Sequence, residues 1–274
     1  MSEIHPTAII GKNVEIGVGN RIGPHVVIEE GVKIGSHNTI HARAYLCKGT
    51  EIASHNEIHM GAVIGHAPQD LAYKGAPGYT RIGDQNQIRE YVTIHRGTQP
   101  ESATIIGNEN FIMAYCHIAH NCELANKIIM VNQASLTGYC RVEDQAFLSG
   151  MTGFHQFTRI GRLALVSALS AANRDIPPFS ICGGRPALVV GINNVGLRRA
   201  GISEAVRSEI KKAFKYLFHS GLSTPTALEK IKGELTSPEV LHLVRFIESS
   251  KRGIMGAWNE EEPEDETLLP KRSR

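Results

Sequence analysis

The stretch Ile4-His-Pro-Thr-Ala-Ile-Ile10-Gly-Lys-Asn-Val-Glu-Ile16-Gly-Val-Gly-Asn-Arg-Ile22 decides the fold, because an aliphatic side chain returns at every sixth residue. Outward from it, the frame continues through Ile28, Ile34, Ile40, Leu46, Ile52, Ile58 and Ile64 and resumes at Ile82, Ile88 and Ile94. It runs again from Ile106 through Ile112, Ile118, Leu124, Met130, Leu136, Val142, Leu148, Phe154 and Ile160 to Val166. An amphipathic helix returns its apolar face after three or four residues and a half-buried strand after two, so a period of six is neither element alone. It fits short strands joined by tight turns, one hexad to each face of a three-sided prism, with the aliphatics stacked in ladders inside. The fourth residue after each aliphatic is small or able to turn, as at Ala8, Asn20, Asn38, Ala44 and Thr50, which reads as the corner position.

Such a coil resembles the hexapeptide-repeat acyltransferases, and that resemblance implies a left-handed parallel β-helix. Two segments, 66–81 and 97–105, lack the hexad pattern and carry Gly and Pro without shifting the frame. They read as loops ejected from a rigid scaffold, where function tends to lie. After Val166 the pattern fades, and Asp175-Ile-Pro-Pro178 marks a boundary. From Ser203 the period turns helical, with helices expected over 203–220, 225–235 and 238–252, started by Ser203, Thr224-Pro225 and Ser237-Pro238. The expected organisation is a mainly β protein: a left-handed β-helix over 1–190, a small α-helical C-terminal domain over 191–256 and a disordered tail over 257–274. In that tail Glu260, Glu261, Glu262, Glu264, Asp265 and Glu266 leave little to bury.

The 274-residue chain balances 29 Lys and Arg against 27 Asp and Glu, so bulk charge points to no nucleic-acid or membrane partner. No apolar run reaches the roughly 18 residues of a membrane span, and the first residues lack the basic and apolar parts of a signal peptide. Five cysteines, an odd set with no Cys-x-x-Cys pair, argue against a disulfide framework and a thiolate zinc site. A cytoplasmic protein is expected.

Polar chemistry gathers in the middle coils, where His95, His117, His120 and His155 lie. His117 and His120 straddle the inward Ile118, so both point outward or to a corner. A neutral imidazole, with an ordinary pKa near about 6.5, can take a hydroxyl proton at physiological pH. On residue types alone, His95, His117 and His120 also suit a zinc site shared between chains, and a solvated face is a third reading.

Longer motifs narrow the choice. Ile118-Ala-His-Asn-Cys122, the loop with Gln69-Asp70-Leu71, Ile88-Arg-Glu-Tyr-Val-Thr-Ile-His-Arg-Gly-Thr98, Gly150-Met-Thr-Gly-Phe-His-Gln-Phe157, Asp175-Ile-Pro-Pro178 and Gly191-Ile-Asn-Asn-Val-Gly-Leu-Arg-Arg199 occur in that order. Together they resemble the UDP-N-acetylglucosamine O-acyltransferases of lipid A biosynthesis, collinearly from Ile4 to about Arg252. The resemblance implies transfer of a 3-hydroxyacyl group from acyl carrier protein to the 3-hydroxyl of UDP-N-acetylglucosamine by a homotrimer, with no cofactor and no metal. It implies His120 as general base and Gly138 as the backbone donor facing the oxyanion. Gln69, Asp70, His95, His117, His155 and Gln156 fall around the sugar and phosphates, Asn193 and Arg199 at nucleotide-binding positions, and Ala168 at the end of the acyl groove as its ruler. Four positions depart from the family's usual pattern: Ala72 stands for a common Lys, Asn121 and Val195 for acidic residues, and Tyr139 for His. A nucleotide-amino-sugar N-acyltransferase and a non-catalytic sugar-nucleotide-binding paralogue are the alternatives.

Overall fold

The structure, a computed structural model, describes residues 1–257. The expected disordered tail therefore lies outside the described residues, apart from Ala257, which bridges to Val189. Each hexad of the frame forms a two- to four-residue strand ending on or just past its aliphatic, and the strands collect into three parallel sheets. The first face begins with Glu3–Ile4, the second with Ile9–Ile10 and the third with Glu15–Ile16. Among the described residues these sheets hold eleven, nine and eight strands, the eleven including a two-stranded hairpin beyond the hexad frame. Like positions stack on like: Ile4 opposes Ile22, Ile22 opposes Ile40 and Ile40 opposes Ile58.

The corner lies one residue earlier than the sequence suggested. The third residue after the aliphatic takes the left-handed conformation, with φ of +55° at Asn13, +57° at Tyr91, +58° at Asn121 and +60° at Tyr139. The fourth residue is instead a second inward position, so Val26, Ala44, Thr50 and Ala62 are fully buried. Small size there reflects the narrow prism interior, not turning. A left-handed conformation costs a non-glycine residue about 1–2 kcal/mol, and the burial of two side chains in every hexad offsets it.

At the third corner, between third and first faces, that inward position carries Asn20, Asn38, Asn56, Asn86 and Asn110, all buried. They form a ladder in which each side-chain oxygen accepts from the backbone N–H of the next rung, at 2.8–2.9 Å, and from its amide in the first three steps. The rungs are 18, 18, 30 and 24 residues apart. The long third and fourth steps are the coils that eject the loops, which the structure confines to 67–78, between strands Val63–His66 and Tyr79–Ile82, and 96–102, between Thr93–His95 and Ala103–Ile106.

Past Val166 the first face is extended by Ser180–Gly184, parallel to Leu165–Val166, and then by Ala187–Ile192 running back antiparallel. The hexad frame gave no signal for this hairpin. Four helices follow: α1 (Asn194–Arg199), α2 (Glu204–Phe218), α3 (Thr224–Glu234) and α4 (Pro238–Glu248). The six-residue α1 is too short to show a period and was not anticipated. Ser203 caps α2 as expected, whereas α3 is capped by Ser223, not Thr224, which is already its first helical residue. No helix among the described residues is long and apolar enough to cross a membrane.

Candidate active site

Eight of the eleven sequence-predicted residues gather at or over the second corner, where second face turns into third. The frame puts His120 two residues after inward Ile118 and immediately before the left-handed Asn121, so its ring projects along the corner and is 6% exposed. Gly138 occupies the same place one coil further on. A Cβ built on Gly138 would stand 2.4 Å from His120 Cε1 and 2.5 Å from Nε2, so the imidazole lies directly against the residue 138 backbone. His117 projects from the second face and its Nδ1 pairs with Thr93 Oγ1 at 2.7 Å. His95, one coil before, meets the His117 ring edge-on at 4.8 Å between centroids.

Loop 67–78 folds back over these rings. Its Gln69 backbone N–H donates to His95 Nδ1 at 3.4 Å, and Asp70 Oδ2 stands 3.6 Å from His120 Nε2. Asp70 is itself fixed by the Ala72 N–H, which donates to its Oδ1 at 2.8 Å. Lys74, exposed on the loop, donates to the Leu71 carbonyl at 3.3 Å. His155 and Gln156 sit at the same corner one coil beyond Gly138, with His155 Nδ1 3.2 Å from the Gln156 carbonyl.

Burial and the neighbouring histidines His117, His66 and His120 lower the His95 pKa to about 4, and burial, with His120 nearby, lowers that of His117. Both rings are consequently neutral acceptors or donors near neutrality, not cations.

Hydrogen bonding settles the tautomer of His120. The Thr98 N–H donates to Asn121 Oδ1 at 3.0 Å, so that atom must be the amide oxygen. His120 Nδ1 lies 3.1 Å from the same oxygen and has to be the protonated nitrogen. In the neutral ring Nε2 then carries the lone pair, facing Asp70 and the cleft. The hydroxyl of Thr98 also donates to Asn121 Oδ1 at 2.9 Å and stands 3.1 Å from Tyr139 Oη, while Thr104 Oγ1 accepts from the Asn121 N–H at 2.8 Å. The Tyr139 ring meets His120 edge-on at 5.3 Å and stacks on Phe157 at 5.0 Å. Thr98 and Thr104 were not singled out from the sequence as site residues, although Thr98 closes one of the motifs quoted above.

Three predicted residues lie elsewhere in the chain. Ala168 is exposed at the first corner, between first and second faces. Asn193 is buried as the N-cap of α1, accepting from the Gly196 N–H at 2.9 Å and donating to the Leu163 carbonyl at 2.8 Å. Arg199 is exposed in the last turn of α1.

A family model described as Udp N-acetylglucosamine O-acyltransferase; Domain 2 matches residues 175–255. A Myxococcus xanthus protein named acyl-[acyl-carrier-protein]--UDP-N-acetylglucosamine O-acyltransferase is 45% identical over 256 residues, 93% of this chain and 99% of its own length. One of the same name from Gloeothece citriformis is 46% identical over 190 residues, 69% of each. The crystal structure of the Francisella novicida UDP-N-acetylglucosamine acyltransferase superposes with a TM-score of 0.90 at 33% identity, covering 93% of this chain and 95% of that one. The Campylobacter jejuni enzyme gives 0.88 at 33% identity, covering 94% and 100%. Fold and relatives together define an acyltransferase of the left-handed β-helix class. Within that class, the chain belongs to the UDP-N-acetylglucosamine O-acyltransferase family.

Proposed function

We propose that this chain moves a 3-hydroxyacyl group from acyl carrier protein to the 3-hydroxyl of UDP-N-acetylglucosamine, with His120 as general base. The observation that carries the reading is the buried His120 imidazole whose Nδ1 is engaged by the Asn121 side-chain oxygen at 3.1 Å, which leaves Nε2 turned to the cleft and Asp70. In the step proposed, the sugar hydroxyl attacks the thioester carbonyl while its proton passes to Nε2. The C–O bond forms, the tetrahedral oxyanion is met by the Gly138 N–H, and the C–S bond then breaks. The departing thiolate takes the proton back from the imidazolium, so no covalent enzyme intermediate arises. Asp70, 3.6 Å from Nε2, adds stabilisation as the imidazolium forms; a positioned donor such as the Gly138 N–H is worth about 3 kcal/mol to the oxyanion. Gln69, His95, His117, His155 and Gln156 are proposed to bind the sugar and its diphosphate.

Assembly completes the site. Along the first corner Met60, Tyr91, Tyr115, Met151 and Leu169 are each about half exposed. Large apolar side chains recurring along one edge, interrupted at Gln133, mark a covered surface, and a second copy of the chain is the occupant proposed. In a cyclic trimer each first corner then meets a neighbour's second corner, which brings Ala168 to the acyl groove beside the neighbour's His120. Asn193 is proposed to shape the nucleotide site through its cap on α1, and Arg199 to reach the diphosphate.

His120→Ala should lower turnover of UDP-N-acetylglucosamine and hydroxyacyl carrier protein about 100- to 10,000-fold, with nucleotide-sugar binding by calorimetry unchanged. A variant retaining a tenth of the rate would remove the base from this role.

A further inference from the structure

We propose that the first corner carries a site for a divalent transition metal of the zinc type, formed by His41 Nε2, His59 Nε2 and a Glu57 carboxylate oxygen. His41 and His59 each directly follow an inward aliphatic, Ile40 and Ile58, on successive coils, so the register that pairs Ile40 with Ile58 stacks their rings, 4.8 Å apart and 27° from parallel. Glu57 Oε1 lies between their tips, 2.9 Å from His41 Nε2 and 3.5 Å from His59 Nε2. The three donor atoms all fall within 4.8 Å of one another.

A tetrahedral metal bound at about 2.0–2.2 Å by nitrogen and oxygen sets its donors about 3.4 Å apart, so the pair at 2.9 Å opens slightly and the widest, within 4.8 Å, closes by up to about 1.4 Å, movements open to the partly exposed His41 ring. The next coil provides the backing that such a ligand needs. Glu90 Oε1 lies 3.2 Å from His59 Nδ1, an arrangement that puts the ring proton on Nδ1 and leaves Nε2 free to bind. Arg89 donates to Glu90 Oε1 from Nε at 3.3 Å and Nη2 at 3.0 Å.

Two imidazoles and one carboxylate leave a fourth position open to water or to a group on whatever covers this corner. The site is separate from His95, His117 and His120, whose inner nitrogens are already engaged by Gln69, Thr93 and Asn121.

The test is equilibrium dialysis of the full-length, chelator-stripped protein against Zn(II), with Co(II) as a spectroscopic probe. One equivalent per chain with a Kd of about 1 µM or tighter, and visible d–d absorption of four- or five-coordinate Co(II), are expected. Binding should vanish in His41→Ala and Glu57→Gln, fall about 10- to 100-fold in Glu90→Gln, and persist in His117→Ala. Circular dichroism and light scattering establish that each variant is folded and assembled, and His41→Gln serves if His41→Ala is not. No uptake at about 100 µM Zn(II), or uptake undiminished in the His41 and Glu57 variants, overturns the proposal.

Discussion

Gly138 is constrained by a side chain that is not its own. Because its missing Cβ would occupy the space of the His120 ring, Gly138→Ala must push the imidazole aside while leaving the coil's aliphatic ladder untouched. Misplacing a base by about 1 Å costs on the order of 100-fold, so kcat should fall by about that factor with the melting temperature nearly unchanged. A wild-type kcat in this variant would show that the ring position is not tied to residue 138. Asn121 offers a finer probe. Its neutral amide fixes the tautomer through Nδ1. A carboxylate there would favour the protonated ring, so the acid limb of kcat/KM should move to higher pH in Asn121→Asp, with activity lost earlier as pH falls. Superimposable limbs would mean that residue 121 orients the ring without tuning it.

At the scale of the coil, the asparagine ladder is the part of the interior most exposed to single substitutions. Asn56 accepts from both the N–H and amide of Asn86 and donates to Asn38 and to the Gly83 carbonyl. Asn56→Ala therefore strands several buried groups at once, and at about 1–3 kcal/mol for an unsatisfied group a loss of about 2–4 kcal/mol is expected in chemical denaturation. A loss below about 1 kcal/mol would mean that water enters the corner and replaces the amide. The sequence already showed this architecture, because stacking one face on the next forces the same residue type to recur at the same place in each hexad. It placed His120 ahead of a corner, and the structure brings Asn121 alongside it there. It could not show which of two neighbouring positions makes the turn, since small size suits both a corner and a cramped interior. Nor could it show Thr98 reaching Asn121, a contact across 23 residues that depends on how an ejected loop returns. The hairpin over 180–192 and α1 escaped because neither is long enough to have a period.

For the molecule as a whole, the polar and apolar edges divide the labour. The third corner shows solvent His37, His55, Gln85, Glu109 and Lys127, whereas the first shows Tyr91, Tyr115, Met151 and Leu169 at the equivalent places. Tyr91 and Tyr115 stack 5.3 Å apart and form the centre of the apolar edge. Tyr115→Asp puts a charge into that edge without touching the interior. Light scattering at micromolar concentration should read a trimer for the wild type and a smaller species for this variant; a wild-type monomer, or a variant of undiminished mass, would place the contact between copies elsewhere.

The uneven spacing of the ladder has a mechanical meaning. The N-terminal end of the prism is open, with Ile4, Ile9 and Ile10 partly exposed, while the far end is covered by the hairpin and helices. A chain pulled by its ends should peel from the open end one coil at a time, and each rupture frees the residues between successive rungs. At about 3.3–3.6 Å of extended chain per residue, spacings of 18, 18, 30 and 24 residues correspond to steps of about 60, 60, 100 and 80 Å. The two long steps would report, in a force trace, the passage of the coils whose loops lie over the second corner, so the tension at which the proposed site is dismantled can be read separately from that of the rest of the prism.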